Sequence, residues 1–297
     1  MDLHIHTTAS DGTDSPAELL EKLRAARIRV FSVTDHDTVD GTLEMEKLVP
    51  EGARFIRGIE FSCVSPGGKC HILGYGFDPA HPAFQAALEE GRLLRMEKLE
   101  RRLQLMAENF GIVLTAGERQ WLMSRNSPGK PHLGQILVDR GLAPDVGTAI
   151  RTYLKGIPGR DRIDASPAIH AICAAGGFPV WAHPLGGEGE KRLTPDRFDL
   201  QLRTLLREGI RGLECWYSRY TMEEIRAAEK KKRRSGGNLI ETLEEMTGRS
   251  LPDLGQLLEQ QKKSAPVPAN ASAADDLQAL CQEAKEYDFY AVCVNSS

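Results

Sequence analysis

Leu3 and Ile5 alternate with His4 and His6 at the start of the chain, the period-two pattern of a half-buried strand. Residues two apart on a strand share a face, so this pattern aims both imidazoles the same way, with Asp11 on the loop that follows. Ser15-Pro16-Ala17-Glu18 then reads as a capped helix start, and Leu19, Leu20, Leu23 and Ala26 give the stripe of an amphipathic helix. Val30-Phe31-Ser32-Val33-Thr34 predicts a second strand, running into Asp35-His36-Asp37. A weaker helix around residues 42–47 leads to a third strand over 54–59 that ends at Glu60, and a fourth over 70–75 carries His71. Strands alternating with helices, with polar groups at the C-terminal strand ends, predict an α/β barrel or doubly wound sheet.

The pattern changes between about residues 82 and 165. A long charge-rich helix over 88–107 is followed by shorter helical pieces broken by Gly111, Pro128, Pro131, Gly141 and Pro144. This stretch reads as a helical insertion over the strand ends. The α/β alternation then resumes with a helix over 166–175 and the strand Phe178-Pro179-Val180-Trp181-Ala182, ending in His183-Pro184. A helix over 198–207 precedes the strand Gly212-Leu213-Glu214-Cys215-Trp216. Further on, a helix over 223–234 ends in Lys230-Lys231-Lys232-Arg233-Arg234, a solvated end beside the negative pole of the helix dipole. Residues 239–261 read as a helical segment, 262–274 as a linker, and 275–287 as a helix before a last strand over 290–294.

Composition adds limits. The 297 residues suffice for one large domain or two smaller ones, and 41% hydrophobic with 27% charged residues is ordinary for a soluble globular protein. A net charge of -4 gives no general pull toward nucleic acid or an anionic membrane, so stable DNA binding is not expected and phosphate recognition has to be local. No apolar run reaches the length of a membrane span and no basic-then-apolar leader opens the chain, so a cytoplasmic protein is expected. Six cysteines without a CxxC pair read as reduced, mostly packed thiols.

The chemistry lies in what gathers at the strand ends: His4, His6, Asp11, His36, Glu60, His71 and His183. Five of the eight histidines fall on one expected edge with two carboxylates, which predicts a shared polynuclear metal site. Trp181 reads as core, and His81 and His170 lie away from the strand ends as structural or surface residues. Arg219 follows the strand at 212–216 and is a candidate phosphate contact.

His4-Ile5-His6 with Ser10-Asp11-Gly12, Thr34-Asp35-His36-Asp37, Gly58-Ile59-Glu60, His71-Ile72-Leu73-Gly74 and Ala182-His183-Pro184 resemble, in order, the polymerase-and-histidinol-phosphatase (PHP) family. The resemblance runs from residue 1 to about residue 220 and is nearest to the branch of nucleoside 3',5'-bisphosphate phosphatases and 5'-to-3' RNA exonucleases. It implies a distorted seven-stranded (β/α) barrel from residues 1–81 and 166–237, with 82–165 inserted as a substrate cap. It also implies a metal-dependent phosphoesterase acting on a nucleoside 3',5'-bisphosphate or an RNA 5' end. Two to three divalent ions are implied, manganese first, with zinc or iron as alternatives. His4, His6 and Glu60 would hold the first ion, Glu60 with His71 and His183 the second, and Asp11 with His36 the third. Such ions clamp phosphate oxygens and activate water, so no side-chain nucleophile is required. Lys130-Pro131-His132 resembles the family's Arg-Pro-His segment and would grip a phosphate, the lysine offering a point charge in place of a bidentate fork.

The chain departs from the family at its end. A final Gly-Ser-Asp-Phe-His motif is expected after the helix that ends near Arg234, yet the chain reads Ser235-Gly236-Gly237-Asn238-Leu239 and has no histidine after His183. The third ion is therefore expected to be weakly held or absent, and a metal-binding remnant with impaired turnover is the alternative to an active phosphoesterase. An amidohydrolase-type barrel is a further alternative, set back by the lack of a carboxylated lysine and a final aspartate. Residues 275–297 resemble the entry region of deoxyribose-phosphate aldolase but stop before that family's Schiff-base lysine, so aldolase activity is not expected. The strand at 290–294 is expected to dock where the missing barrel strand would lie and cover the sheet edge.

Overall fold

A computed structural model describes residues 2–125, 127–156, 162–184, 186, 193–216 and 290–293. Its strands are β1 (Asp2–Ile5), β2 (Val30–Val33), β3 (Arg54–Ser65), β4 (Gly68–Tyr75), β5 (Ile163–Asp164), β6 (Phe178–Ala182), β7 (Gly212–Trp216) and β8 (Tyr290–Cys293). Its helices are α1 (Pro16–Ala25), α2 (Asp40–Leu48), α3 (Pro82–Phe110), α4 (Ala116–Met123), α5 (Lys130–Asp139), α6 (Val146–Tyr153), α7 (Ala165–Ala174) and α8 (Pro195–Glu208). The strands form one curled sheet in the order β1-β2-β3-β4-β6-β7-β8, with β5 beside β3. Both pairings of β4 are antiparallel and the others are parallel. This is the α/β, barrel-like architecture the alternation predicts.

Local chemistry explains the elements. Ser15 caps α1 by accepting from the Glu18 amide while Glu18 reaches back to the Ser15 amide, and Pro16 occupies the first turn, where no amide is needed. Leu19, Leu20 and Leu23 of that helix pack on Ile5, Phe31 and Val33 outside the sheet. Ile59, Phe61, Ile72 and Trp181 face outward too, against Ile169 and Ile172 of α7 and Leu202 and Leu205 of α8. Trp181 is a core residue, its ring centroid 5.1 Å from that of Phe198. Inside the barrel, Leu3, Ile56, Leu73, Tyr75 and Val180 close the floor, and the Tyr75 hydroxyl donates to the Leu3 carbonyl at 2.9 Å. The inserted helices carry their own core of Leu99, Met106, Leu122, Leu133 and Leu137. At about 1.5–3 kcal/mol for each large side chain removed from water, this suffices to hold the insertion as a packed body.

Three details differ from the sequence expectation. Leu3 and Ile5 do not share a face: Leu3 packs inside the barrel and Ile5 outside. The cause is an extra residue in β1, since Asp2 pairs with Phe31 but Ile5 pairs with Val33. β3 does not end at Glu60 but continues to Ser65, because its second half pairs with β4 in a hairpin. Glu60 therefore sits in mid-strand. His71 lies in the N-terminal half of its strand rather than at its C-terminal end, and the antiparallel direction of β4 brings it toward the edge where the parallel strands finish.

Of the elements expected beyond residue 216, only the last strand falls among the described residues. β8 runs parallel to β7, pairing Gly212 with Tyr290 and Glu214 with Val292, and also approaches β1. It thus covers the β7 edge, as expected. The lysine-arginine run, the segment at 239–261, the linker and the helix at 275–287 lie outside the described residues.

Candidate metal centre

The site is built around Glu60, fully buried at the middle of β3. Its two carboxylate oxygens face two different groups of imidazoles. Oε2 lies 3.1 Å from Nε2 of His4, 3.2 Å from Nε2 of His6 and 3.2 Å from Nδ1 of His36. Oε1 lies 3.1 Å from Nδ1 of His71 and 3.2 Å from Nε2 of His183. The two latter nitrogens are themselves 3.1 Å apart. Asp11, on the loop after β1, completes the set with Oδ1 at 3.2 Å from Nδ1 of His6 and Oδ2 at 3.8 Å from Nε2 of His36. All seven ligands expected from the sequence come together. His6 joins Asp11 and His36 as a third group, and His36 stands between that group and Glu60.

The electrostatics match this crowding. Burial opposes the charge of Glu60, yet the imidazoles of His4, His36 and His71 hold its carboxyl well below the usual range. Burial likewise pulls the His4 imidazole down, but Glu60 and Glu214 outweigh it and hold the ring up at about 10. The pocket is one that demands positive charge. Nε2 of His6 and Oε2 of Glu60 are buried atoms with no hydrogen bond, although they stand 3.2 Å apart, so both are turned into a common space. Imidazole nitrogens and carboxylate oxygens aimed at shared points suit divalent first-row ions, which take the place of protons there. His4, His6 and Glu60 would hold one ion, Glu60, His71 and His183 a second, and Asp11 with His36 and His6 the weakest. Divalent ions so held supply Lewis acidity toward phosphoryl oxygens and acidify water.

The loop that carries Asp11 is clamped from behind. Asp35 accepts from the Thr7 amide at 2.8 Å, the Thr7 hydroxyl at 2.7 Å and the Ser10 hydroxyl at 2.5 Å. Its neighbour Asp37 accepts from the Ser62 amide at 2.7 Å and pairs with Arg95 of α3, tying the insertion to the barrel. Thus only His36 of the Asp35-His36-Asp37 run faces the metal pocket; the two carboxylates that flank it are scaffold.

A cleft of about 600 Å³ opens over Asp11, His36 and His71, walled on the other side by the insertion. Arg95, Lys98, Arg102, Lys130, Arg151 and Arg162 line it, and Asp11 is the one carboxylate among the described residues that do. Lys130, singled out in the sequence, is therefore placed at the cleft. His132 follows these lining residues at the start of α5: its Nδ1 accepts from the Gly129 amide at 3.2 Å, its ring meets Trp121 edge-on, and Asp11 and Arg95 of the cleft are within its electrostatic reach. Arg219 lies outside the described residues. His81 caps α3 and His170 is on an exposed helix face beside Glu208, both apart from the site.

Sequence reasoning misses Glu214, Arg95 and the clamping role of Asp35. A glutamate in the apolar strand Gly212-Leu213-Glu214-Cys215-Trp216 was the available signal, since a carboxylate is almost never buried without a partner.

Five imidazoles divided between the two oxygens of one carboxylate, at the open edge of an α/β barrel and under a cationic cleft, define a metal-dependent phosphoric ester hydrolase. The PHP domain pattern matches residues 2–120. The chain is 35% identical over 189 residues to a 5'-3' exoribonuclease of Haemophilus influenzae, covering 62% of this chain and 68% of that one. It is 33% identical over 190 residues to a 3',5'-nucleoside bisphosphate phosphatase of Chromobacterium violaceum, covering 62% and 66%. Among solved structures, a protein of Bifidobacterium adolescentis assigned as a metal-dependent phosphoesterase superposes with a TM-score of 0.67 at 26% identity, over 78% of this chain and 82% of that one. The chain belongs to the PHP family. It spans about two thirds of the length of the two curated relatives.

Proposed function

We propose that the protein hydrolyses phosphate esters of nucleotides, either a nucleoside 3',5'-bisphosphate or the 5' end of RNA, with manganese as its working ion. The observation that carries this reading is the division of Glu60 between two imidazole groups directly beneath a cleft lined by six cations. A phosphate ester brings the negative charge that such a cleft is suited to hold. A bisphosphate or RNA end brings more than one such group. Lys130 and Arg95 hold and orient the phosphate. Residues 82–165 act as the cap that forms the far wall of the cleft. No side-chain nucleophile is assigned. The nearby Ser10 hydroxyl is committed to Asp35.

The relatives named above as an exoribonuclease and a bisphosphate phosphatase support the nucleotide class. No helix among the described residues is long and apolar enough to cross a membrane, and a cytoplasmic setting goes with such substrates. The absence of any histidine after His183 supports a second reading, a metal-binding remnant with little turnover. Manganese-dependent phosphate release from a nucleoside 3',5'-bisphosphate and from 5'-phosphorylated RNA separates the two. Release from either substrate that His71→Ala abolishes supports hydrolysis, whereas stoichiometric metal without release supports the remnant.

A further inference from the structure

Glu214 lies on β7, fully buried and turned into the barrel. An ionised carboxylate in such a place needs both oxygens satisfied. Oε1 lies 3.1 Å from Nδ1 of His4, and Oε2 accepts the backbone N–H of His183 at 2.6 Å. These two partners belong to opposite sides of Glu60: His4 faces its Oε2 and His183 its Oε1. One carboxylate thus holds one ligand from each group.

We propose that Glu214 is a positioning residue for both halves of the metal centre. This role rests on the metal-centre reading above. A carboxylate only accepts, so the His4 nitrogen that faces it keeps its proton, and Nε2 is the nitrogen that would give up its own and offer an electron pair to an ion held beside Glu60. Carboxylates that hold a ligating imidazole in this way fix its tautomer and its ring orientation. The second oxygen acts on backbone instead of ring. His183 has φ of +29°, a conformation that a non-glycine residue holds only when its surroundings impose it. The bond from its amide to Glu214, with the Gly186 amide bonded to its carbonyl at 2.8 Å, imposes it. The consequence is that Nε2 of His183 points at Glu60. His4 on β1 and His183 after β6 come from strands far apart in the sequence, and β7 is what keeps them in register.

The test uses the full chain as wild type and as Glu214→Gln. Glutamine keeps the volume but offers one oxygen and one amide donor, so it turns a donor toward either His4 or His183. The expected result is an unchanged circular dichroism spectrum with Mn²⁺ affinity, read by electron paramagnetic resonance titration, about 10–100-fold weaker. A variant that melts lower but binds Mn²⁺ as tightly as wild type would show a merely structural carboxylate and overturn the proposal. A second readout needs no variant: ¹⁵N spectra of the histidines in Zn²⁺-loaded wild type. They are expected to show His4 carrying its proton on Nδ1, and a proton on Nε2 overturns the proposal even if Glu214→Gln does not fold. Wild type that binds no metal at all would instead remove the metal-centre reading on which the proposal stands.

Discussion

Glu60 and His71 sit diagonally across the β3–β4 hairpin, with Oε1 of one 3.1 Å from Nδ1 of the other. Glu60 pairs with Leu73 and His71 with Ser62, so the two side chains share the inner face two positions apart. The same carboxylate meets His4 through its other oxygen. Replacing Glu60 by glutamine removes the charge common to both groups and leaves an amide donor among imidazoles. Mn²⁺ binding, followed by calorimetry, is expected to weaken by at least about a hundredfold, beyond the loss of a supporting residue.

Gly41 lies against the clamp behind the Asp11 loop. A Cβ there would overlap Oδ2 of Asp35 and come within 2.5 Å of the Thr7 hydroxyl. Gly41→Ala is expected to destabilise the fold by about 1–3 kcal/mol through overpacking. The thermal midpoint should fall accordingly, and an unchanged midpoint would show that the clamp yields without cost.

Glu118 closes the capping box of α4 and accepts at Oε1 from Nε of Arg140, the C-cap of α5, at 2.6 Å. The Arg140 guanidinium and the Thr115 groups hold its carboxyl down at about 2, against an ordinary 4.5. Because the folded value is the lower one, this pair stabilises the insertion above about pH 4.5, and its contribution is lost as pH falls toward 2. Glu118→Gln is expected to cost about 1 kcal/mol at neutral pH, the scale of a lost cap in a screened setting, and to flatten that acid slope. Urea melts between pH 2 and 7 check both parts.

Metal and stability are linked as well. Ions that bind only the folded site add about 2.7 kcal/mol at a hundred times the dissociation constant. Manganese is expected to raise the melting temperature and a chelator to lower it. The shift should shrink in His71→Ala.

Much of this was readable from the residues. The capping box and Pro16 start of α1 and the apolar strand at 178–182 are local signals, and the structure places both where the pattern does, whereas the Pro-initiated starts of α3 and α8 lie earlier than the apolar stripe suggests. The seven candidate ligands were legible because an imidazole or carboxylate within or beside an apolar strand is costly to bury unless it meets a partner there. What could not be read is what pairing decides. Whether His71 begins or ends its side of the sheet depends on the direction of β4, and whether Leu3 faces in or out depends on an extra residue in β1. Neither leaves a mark in hydrophobic spacing. In the sequence Glu214 and Arg95 are each one more charge in a strand or a helix, and only the fold brings His4 and His183 to the one and Asp37 to the other.

The central claim is that Glu60 is shared between two metal positions. Anomalous scattering from a crystal of the full chain loaded with Mn²⁺ tests it most directly. Two strong peaks are predicted to flank Glu60, one within ligand reach of His4 and His6 and the other of His71 and His183, with a third peak near Asp11 and His36 weak or missing. A single peak, or peaks that do not touch Glu60, would contradict it.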